Sequence, residues 1–174
     1  CSTGDVITAG QTIVGLADGV DVISSLGICN IPGWEGPEGS LLGFGDAAVC
    51  IDPNPEQLAS IAIASAETVR ALLGWEPRVA MLSYSTDGSA ESELVEGVRE
   101  AVGLARERRP DLKIDGEFQL DAAIRPDVAA KKVRRDSEVA GRANVLVVPN
   151  INVGNIGIKL IQNFAHADAY GPLL

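Results

Sequence analysis

Asn144-Val145-Leu146-Val147-Val148-Pro149 is a near-continuous apolar run, followed by Asn150-Ile151-Asn152-Val153-Gly154-Asn155 and a helical pattern to about Ala165. Strands that are apolar without alternation belong to sheets covered on both faces. A second unit of the same kind lies upstream. Arg78-Val79-Ala80-Met81-Leu82 has the length of a buried strand and ends in Ser83-Tyr84-Ser85-Thr86-Asp87-Gly88-Ser89. An amphipathic helix then runs from about Glu91 to Arg108, with Leu94, Val98, Ala101, Val102 and Ala105 on its apolar side, and Pro110 stops it. Strands separated by helices of this length predict an α/β fold, a mostly parallel sheet with helices on both faces in three layers.

The remaining segments fit that frame. Asn54 is a good N-cap, Pro55 suits the first helical position, Gln57 completes a capping box, and Gly74 sits where a C-terminal glycine belongs. This predicts a helix with Leu58, Ile61, Ala62, Ser65, Val69 and Leu72 on one side. Residues 5–16 have helical spacing, 20–31 read as extended, and 41–51 as strand interrupted by Gly43 and Gly45. After Leu112–Ile114 comes a more polar helical region spanning Arg125–Arg135, and Ala167–Leu174 starts another strand. The organisation expected is an N-terminal helical segment, 1–19, joining a first lobe, and an α/β second lobe, 20–174.

The chain has 174 residues, 46% hydrophobic and 22% charged, which excludes a disordered polypeptide. No apolar run approaches the roughly 20 residues of a membrane helix. A net charge of -10 suits neither nucleic acid nor anionic lipid. With neither a signal peptide nor an initiator Met, a cytoplasmic piece of something longer is expected. Cys1, Cys29 and Cys50 form no C-x-x-C pair, and with His166 the only histidine no metal site is expected.

In such sheets ligands bind beyond the carboxyl ends of the strands. Two loops have that address. One carries Ser83, Ser85, Thr86, Gly88 and Ser89; the other carries Asn150, Asn152, Gly154 and Asn155, with Lys159 one turn into the helix. Hydroxyls, amides and free N–H groups at a helix start suit an anion, though such residues are ordinarily helix caps. Lys159 is either a snorkelling surface lysine or a point charge for a phosphate. The basic stretch Arg125, Lys131, Lys132, Arg134, Arg135 and Arg142 is either a solvated face or a patch for a phosphorylated ligand.

These loops carry a resemblance. Arg78–Thr86, Ile114–Ala123, Val139–Val145, Pro149–Gly157 and Ala169–Pro172 resemble, in order, the corresponding stretches of phosphate acetyltransferases (phosphotransacetylases), most strongly from about Asp52 onward. The resemblance implies two α/β lobes with a cleft between them, a homodimer built largely through the lobe seen here, and reversible acetyl transfer between coenzyme A and phosphate. Coenzyme A and the acyl phosphate are then substrates, and no tightly bound cofactor is implied. Ser85, Thr86, Asn152, Gly154, Asn155, Lys159 and Tyr170 fall in blocks expected to line the cleft, with Lys159 near the phosphate; Thr3 matches a threonine near the acyl phosphate.

Two departures qualify the match. Ile7 and Thr8 stand where the family has an arginine, and the chain ends at Leu174, before the family's Ser-Arg segment and catalytic aspartate. The catalytic residue is therefore unassigned, and the chain alone is expected to be inactive. The alternatives are an acyl-CoA-sensing regulatory domain of a larger enzyme such as a malic enzyme, a propionyl or butyryl transferase, and a non-catalytic scaffold.

Overall fold

The computed structural model describes residues 3–16 and 22–174. The first half of the chain forms α1 (Thr3–Ile13), β1 (Leu26–Asn30), β2 (Leu41–Gly45), α2 (Pro55–Leu73), β3 (Arg78–Leu82) and α3 (Glu93–Arg108). The second half forms β4 (Lys113–Phe118), α4 (Leu120–Ile124), α5 (Pro126–Lys132), β5 (Val145–Val147), α6 (Ile151–Phe164) and β6 (Asp168–Leu173). The expected boundary between residues 19 and 20 lies outside the described residues.

Helix α2 forms where its local signals place it. The Asn54 side chain accepts from the Gln57 N–H at 2.9 Å, and the Gln57 side chain accepts from the Asn54 N–H at 3.1 Å. Gly74 closes the helix at φ 68°, a left-handed conformation that glycine adopts without a Cβ penalty. Leu58, Ile61, Ala62, Ala66 and Val69 are buried along one side.

The six strands form one sheet in the order β4-β3-β5-β2-β1-β6. The pairs β4–β3, β3–β5 and β5–β2 are parallel, whereas β1 runs against both β2 and β6. One reversed strand among six leaves the sheet mostly parallel. Side chains alternate across it as a period of two requires. Val79, Met81, Val145 and Val147 pack against α2 and α3, while Ala80, Leu82, Leu146 and Val148 face α4, residues 139–143 and the inner side of α6. Helices therefore cover both faces.

Three expectations need correction. Leu94 is 75% exposed, and Val95 takes the buried position instead. Ser92, whose hydroxyl accepts from the Val95 N–H, starts α3 later than Glu91 and fixes which side faces the core. The strand expected over 41–51 stops at Gly45, because the Asp46 carboxylate gathers the next N–H groups into a turn. The strand beginning near Leu112 continues to Phe118, carrying two buried acids, Asp115 and Glu117.

Candidate functional site

The carboxyl ends of β2, β3 and β5 open into a cavity of about 600 Å³. Phe44, Leu58, Leu82, Val98, Val148 and Val153 give it apolar walls; Asp52, Glu93, Ser83, Tyr84 and Asn150 supply the polar groups. Its described lining includes carboxylates and no lysine, arginine or histidine. Such a wall repels a phosphate. It suits an apolar group, and an anion must be held elsewhere.

The loop after β3 borders this cavity through Ser83 and Tyr84, and its fold is set by β4. Met81 pairs with Gly116 and Leu82 with Phe118, so Glu117 is an extra residue in the ladder, a bulge that re-aims its side chain. The buried Glu117 carboxylate accepts from the Ser85 hydroxyl at 2.8 Å, the Gly88 N–H at 3.0 Å, and Arg99 at 3.0 and 3.2 Å. Burial opposes its ionisation, but the Arg99 guanidinium, the Gly88 amide and the Ser85 hydroxyl outweigh that and draw its pKa down to about 2. Thr86 completes the knot: its Oγ1 accepts from the Gln119 N–H at 2.8 Å, and its N–H donates to the Ser89 hydroxyl at 2.9 Å. Ser85 and Thr86 are both buried, with Ser85 fully so, and their hydroxyls hold the loop together.

Half of the basic stretch, namely Arg125, Lys132 and Arg135, is paired within the protein. Arg135 reaches Asp115 at 2.8 Å and Asp87 at 2.9 Å, and its guanidinium lies 5.6 Å from the centre of the Phe118 ring. Arg106 and Ser137 also bond to Asp115, while Arg125 pairs with Asp127 and Lys132 with Asp121. Burial disfavours the charged form of Asp115, yet the bonds from Arg135 and Ser137 and the charge of Arg106 hold its carboxyl below the usual range. Asp87, the carboxylate closest in sequence to the serine loop, is bound by the Arg134 N–H and by Arg135.

Helix α6 starts at Asn150, whose side chain accepts from the Val153 N–H at 3.2 Å. Val153 and Gly157 turn toward the cavity, and Ile158 and Ile161 pack on the sheet. Asn152, Asn155 and Lys159, at a spacing of three and four, form a separate exposed face away from the cavity. Lys159 Nζ lies 3.4 Å from the Gln162 amide oxygen. Gly154 is buried: a Cβ there would lie 2.9 Å from Ala47 and from the Asp46 carbonyl oxygen. Tyr170, on β6, pairs with Ile28 and is more than half exposed. Its neighbour Ala169 packs on the α6 side of the sheet, so Tyr170 belongs to the other side. Thr3 begins α1, and its side chain lies outside the described residues. Within the described part, the residues singled out from sequence thus occupy four places: a buried loop knot, the outer face of α6, the buried side of α6 where Gly154 meets Ala47, and the sheet edge.

Sequence reasoning missed Glu117, Asp115 and Asp46 as organising groups. The available signal was an acid within an apolar strand pattern, as in Ile114-Asp115-Gly116-Glu117-Phe118. Buried carboxylates of that kind require partners. Of the described cysteines, Cys29 is fully buried and burial pushes its thiol up to about 11, while the Cys50 thiol is raised by burial and by Asp46 and Asp52. Cys1 lies outside the described residues.

The family described as phosphate acetyl/butaryl transferase matches residues 1–174. The phosphate acetyltransferase of Clostridium acetobutylicum is 51% identical over 172 residues, covering 99% of this chain and 51% of that protein. That of Thermoanaerobacterium thermosaccharolyticum is 50% identical over 172 residues, covering 99% and 52%. Among solved structures, a phosphotransacetylase from Streptococcus pyogenes superposes with a TM-score of 0.90 at 39% identity, covering 99% of this chain and 51% of that one. The chain spans about half the length of the curated relatives it matches.

Proposed function

This chain belongs to the phosphate acetyl/butaryl transferase family, and from that premise we propose that the whole protein transfers an acetyl group reversibly between coenzyme A and phosphate. The observation that carries this reading is an identity of 51% extending over 99% of the chain. In the synthetic direction the coenzyme A thiolate attacks the acetyl carbonyl carbon, a carbon–sulfur bond forms, and the carbon–oxygen bond to phosphate breaks. Phosphate leaves with the electron pair. The base that takes the thiol proton is expected outside residues 1–174.

Within that reaction the chain's own residues have distinct tasks. Lys159, with Asn152 and Asn155 beside it, holds a phosphate group on the outer face of α6, where the helix start favours an anion. Ser85 and Thr86 act through the loop they tie down, and Gly154 through the close seating of α6. Tyr170 contacts the substrates from the sheet edge, and Thr3 is assigned to the acyl phosphate by the resemblance alone. Holding two substrates in attack geometry is worth roughly 7–11 kcal/mol of barrier, and a single donor to the developing charge about 2.7–4 kcal/mol. Coenzyme A is a substrate here rather than a resident cofactor, and the protein works in the cytoplasm as a homodimer. The dimer reading draws support from the exposed apolar side chains Val153, Ile156, Leu160 and Phe164 along α6.

The test follows acetyl-CoA formation from acetyl phosphate and coenzyme A in the full-length protein and its Lys159→Ala variant. The variant is expected to keep its circular dichroism spectrum and to raise the KM for acetyl phosphate or coenzyme A. Unchanged kinetics for both substrates reduces Lys159 to a surface residue. Absence of turnover in the unmodified protein removes the acetyltransferase reading itself, and faster turnover with butyryl phosphate shifts the acyl preference.

A further inference from the structure

Asp46 follows β2 directly and is 3% exposed. Its Oδ1 accepts from the Ser25 hydroxyl and from the N–H groups of Ala48 at 2.9 Å and Val49 at 3.1 Å; its Oδ2 accepts from the Cys50 N–H at 2.8 Å. Four donors around one carboxylate satisfy a group whose burial otherwise costs several kcal/mol. They also wind residues 46–50 into a compact turn, which no other side chain in the described structure grips in this way.

Helix α6 is seated on that turn. The Val148 N–H donates to the Gly45 carbonyl at 2.8 Å, and the Ile151 N–H to the Ile51 carbonyl at 3.1 Å. Three residues beyond Ile151, the backbone of Gly154 meets residues 46 and 47 so closely that any Cβ would collide with Ala47 and with the Asp46 carbonyl oxygen. The turn around Asp46 therefore touches the chain at 148, 151 and 154, immediately before and within the first turn of α6. Asn152 projects from this same turn, Asn155 from the next and Lys159 from the one after.

We propose that Asp46 is a positioning residue for phosphate binding: its carboxylate sets the turn on which the start of α6 rests, and so fixes where Asn152, Asn155 and Lys159 stand. The proposal rests on the phosphate-holding role given to α6 above. Asp46 itself touches no substrate. A hydrogen bond to a charged group is worth about tenfold or more in affinity, so loosening the seat is felt as weaker phosphate binding.

The experiment uses the full-length protein with Asp46→Ala, Asp46→Asn, Gly154→Ala and the double variant Asp46→Ala/Gly154→Ala. Acetyl-CoA formation gives KM and kcat, and hydrogen exchange is read at the amides of residues 153–155. Asp46→Ala is expected to raise the KM for acetyl phosphate by about tenfold or more, with kcat changed by less than about threefold. Gly154→Ala, which lifts α6 without touching the carboxylate, is expected to do the same. Because both act on one seat, the double variant is expected to fall well short of the product of the single effects. Asp46→Asn keeps the Oδ1 acceptor and places an amide against the Cys50 N–H, so it restores part of the loss and remains informative if Asp46→Ala does not fold.

Faster exchange at residues 153–155 in Asp46→Asn, with α3 amides unchanged, accompanies the KM effect if Asp46 acts through α6. A lowered melting temperature with unchanged KM and unchanged exchange at 153–155 overturns the proposal, as does a double variant whose KM effects multiply. Failure of the function reading looks different. In that case the unmodified protein makes no acetyl-CoA, while exchange at 153–155 still reports whether Asp46 holds the seat.

Discussion

Replacing Glu117 by glutamine removes a charge while keeping the shape of the side chain. Folding holds this carboxyl at about 2, against an ordinary value of 4.5. Each pKa unit corresponds to about 1.4 kcal/mol, so the ionised group contributes on the order of 3 kcal/mol to stability. The folded value is the lower one. The contribution is therefore complete above about pH 4.5 and is lost as the pH falls toward 2. At about pH 3.5 roughly 2 kcal/mol of it remains. Urea unfolding of the 174-residue chain and of Glu117→Gln, followed by circular dichroism, measures the difference. The variant is expected to be less stable by about 2–3 kcal/mol near pH 7, with the gap narrowing by about 1 kcal/mol at about pH 3.5. A gap that stays constant across this range, or one below about 0.5 kcal/mol at neutral pH, refutes the role given to the Arg99–Glu117–Ser85 knot.

Other outcomes test different parts of the structure. Asn54→Ala removes the side-chain acceptor of the capping box on α2, leaving the backbone N–H that donates to Gln57, and is expected to cost about 1 kcal/mol in the same urea assay; an unchanged midpoint contradicts that cap. Cys29, buried and with its thiol raised to about 11, is expected to react with a thiol reagent only after unfolding. Mass-spectrometric labelling of Cys29 as fast as that of Cys50 under native conditions counts against this. If the proposed homodimer forms through α6, paired substitutions Ile156→Glu and Leu160→Glu on its exposed side are expected to leave the fold intact and to dissociate it. A dimer mass unchanged by ultracentrifugation moves the interface elsewhere.

What could be read in advance was what neighbouring residues decide. The ends of α2 follow from Asn54, Gln57 and Gly74, which act within a few residues of themselves. The apolar runs 78–82 and 145–147 became central strands because a sheet covered on both faces selects such runs. The reversal of β1 had no local sign, since it depends on Leu26–Asn30 meeting β2 and β6 rather than on its own composition. Leu94 and Val95 exchange places through the position of one cap, Ser92. Of the site, the two loops at the strand ends were legible, but the meaning of their residues was not. Ser85 looks like a ligand contact until Glu117, 32 residues away, is seen to hold it. Gly154 counts among the cleft residues by resemblance, and in the fold Ala47 lies against it. Contacts between segments distant in sequence decide both cases.

The lone antiparallel strand has a mechanical consequence. Leu26, where the chain enters β1, pairs with Leu173, where it leaves β6. Tension applied through these two ends does not slide the strands past one another. It concentrates on the rung between Leu26 and Leu173, then on the next, and peels the ladder toward Asn30 and Asp168 one rung at a time. The parallel block of β2, β5, β3 and β4 lies beside this line of force and keeps its pairings while the edge opens. Under load, the molecule yields as a zipper at one margin.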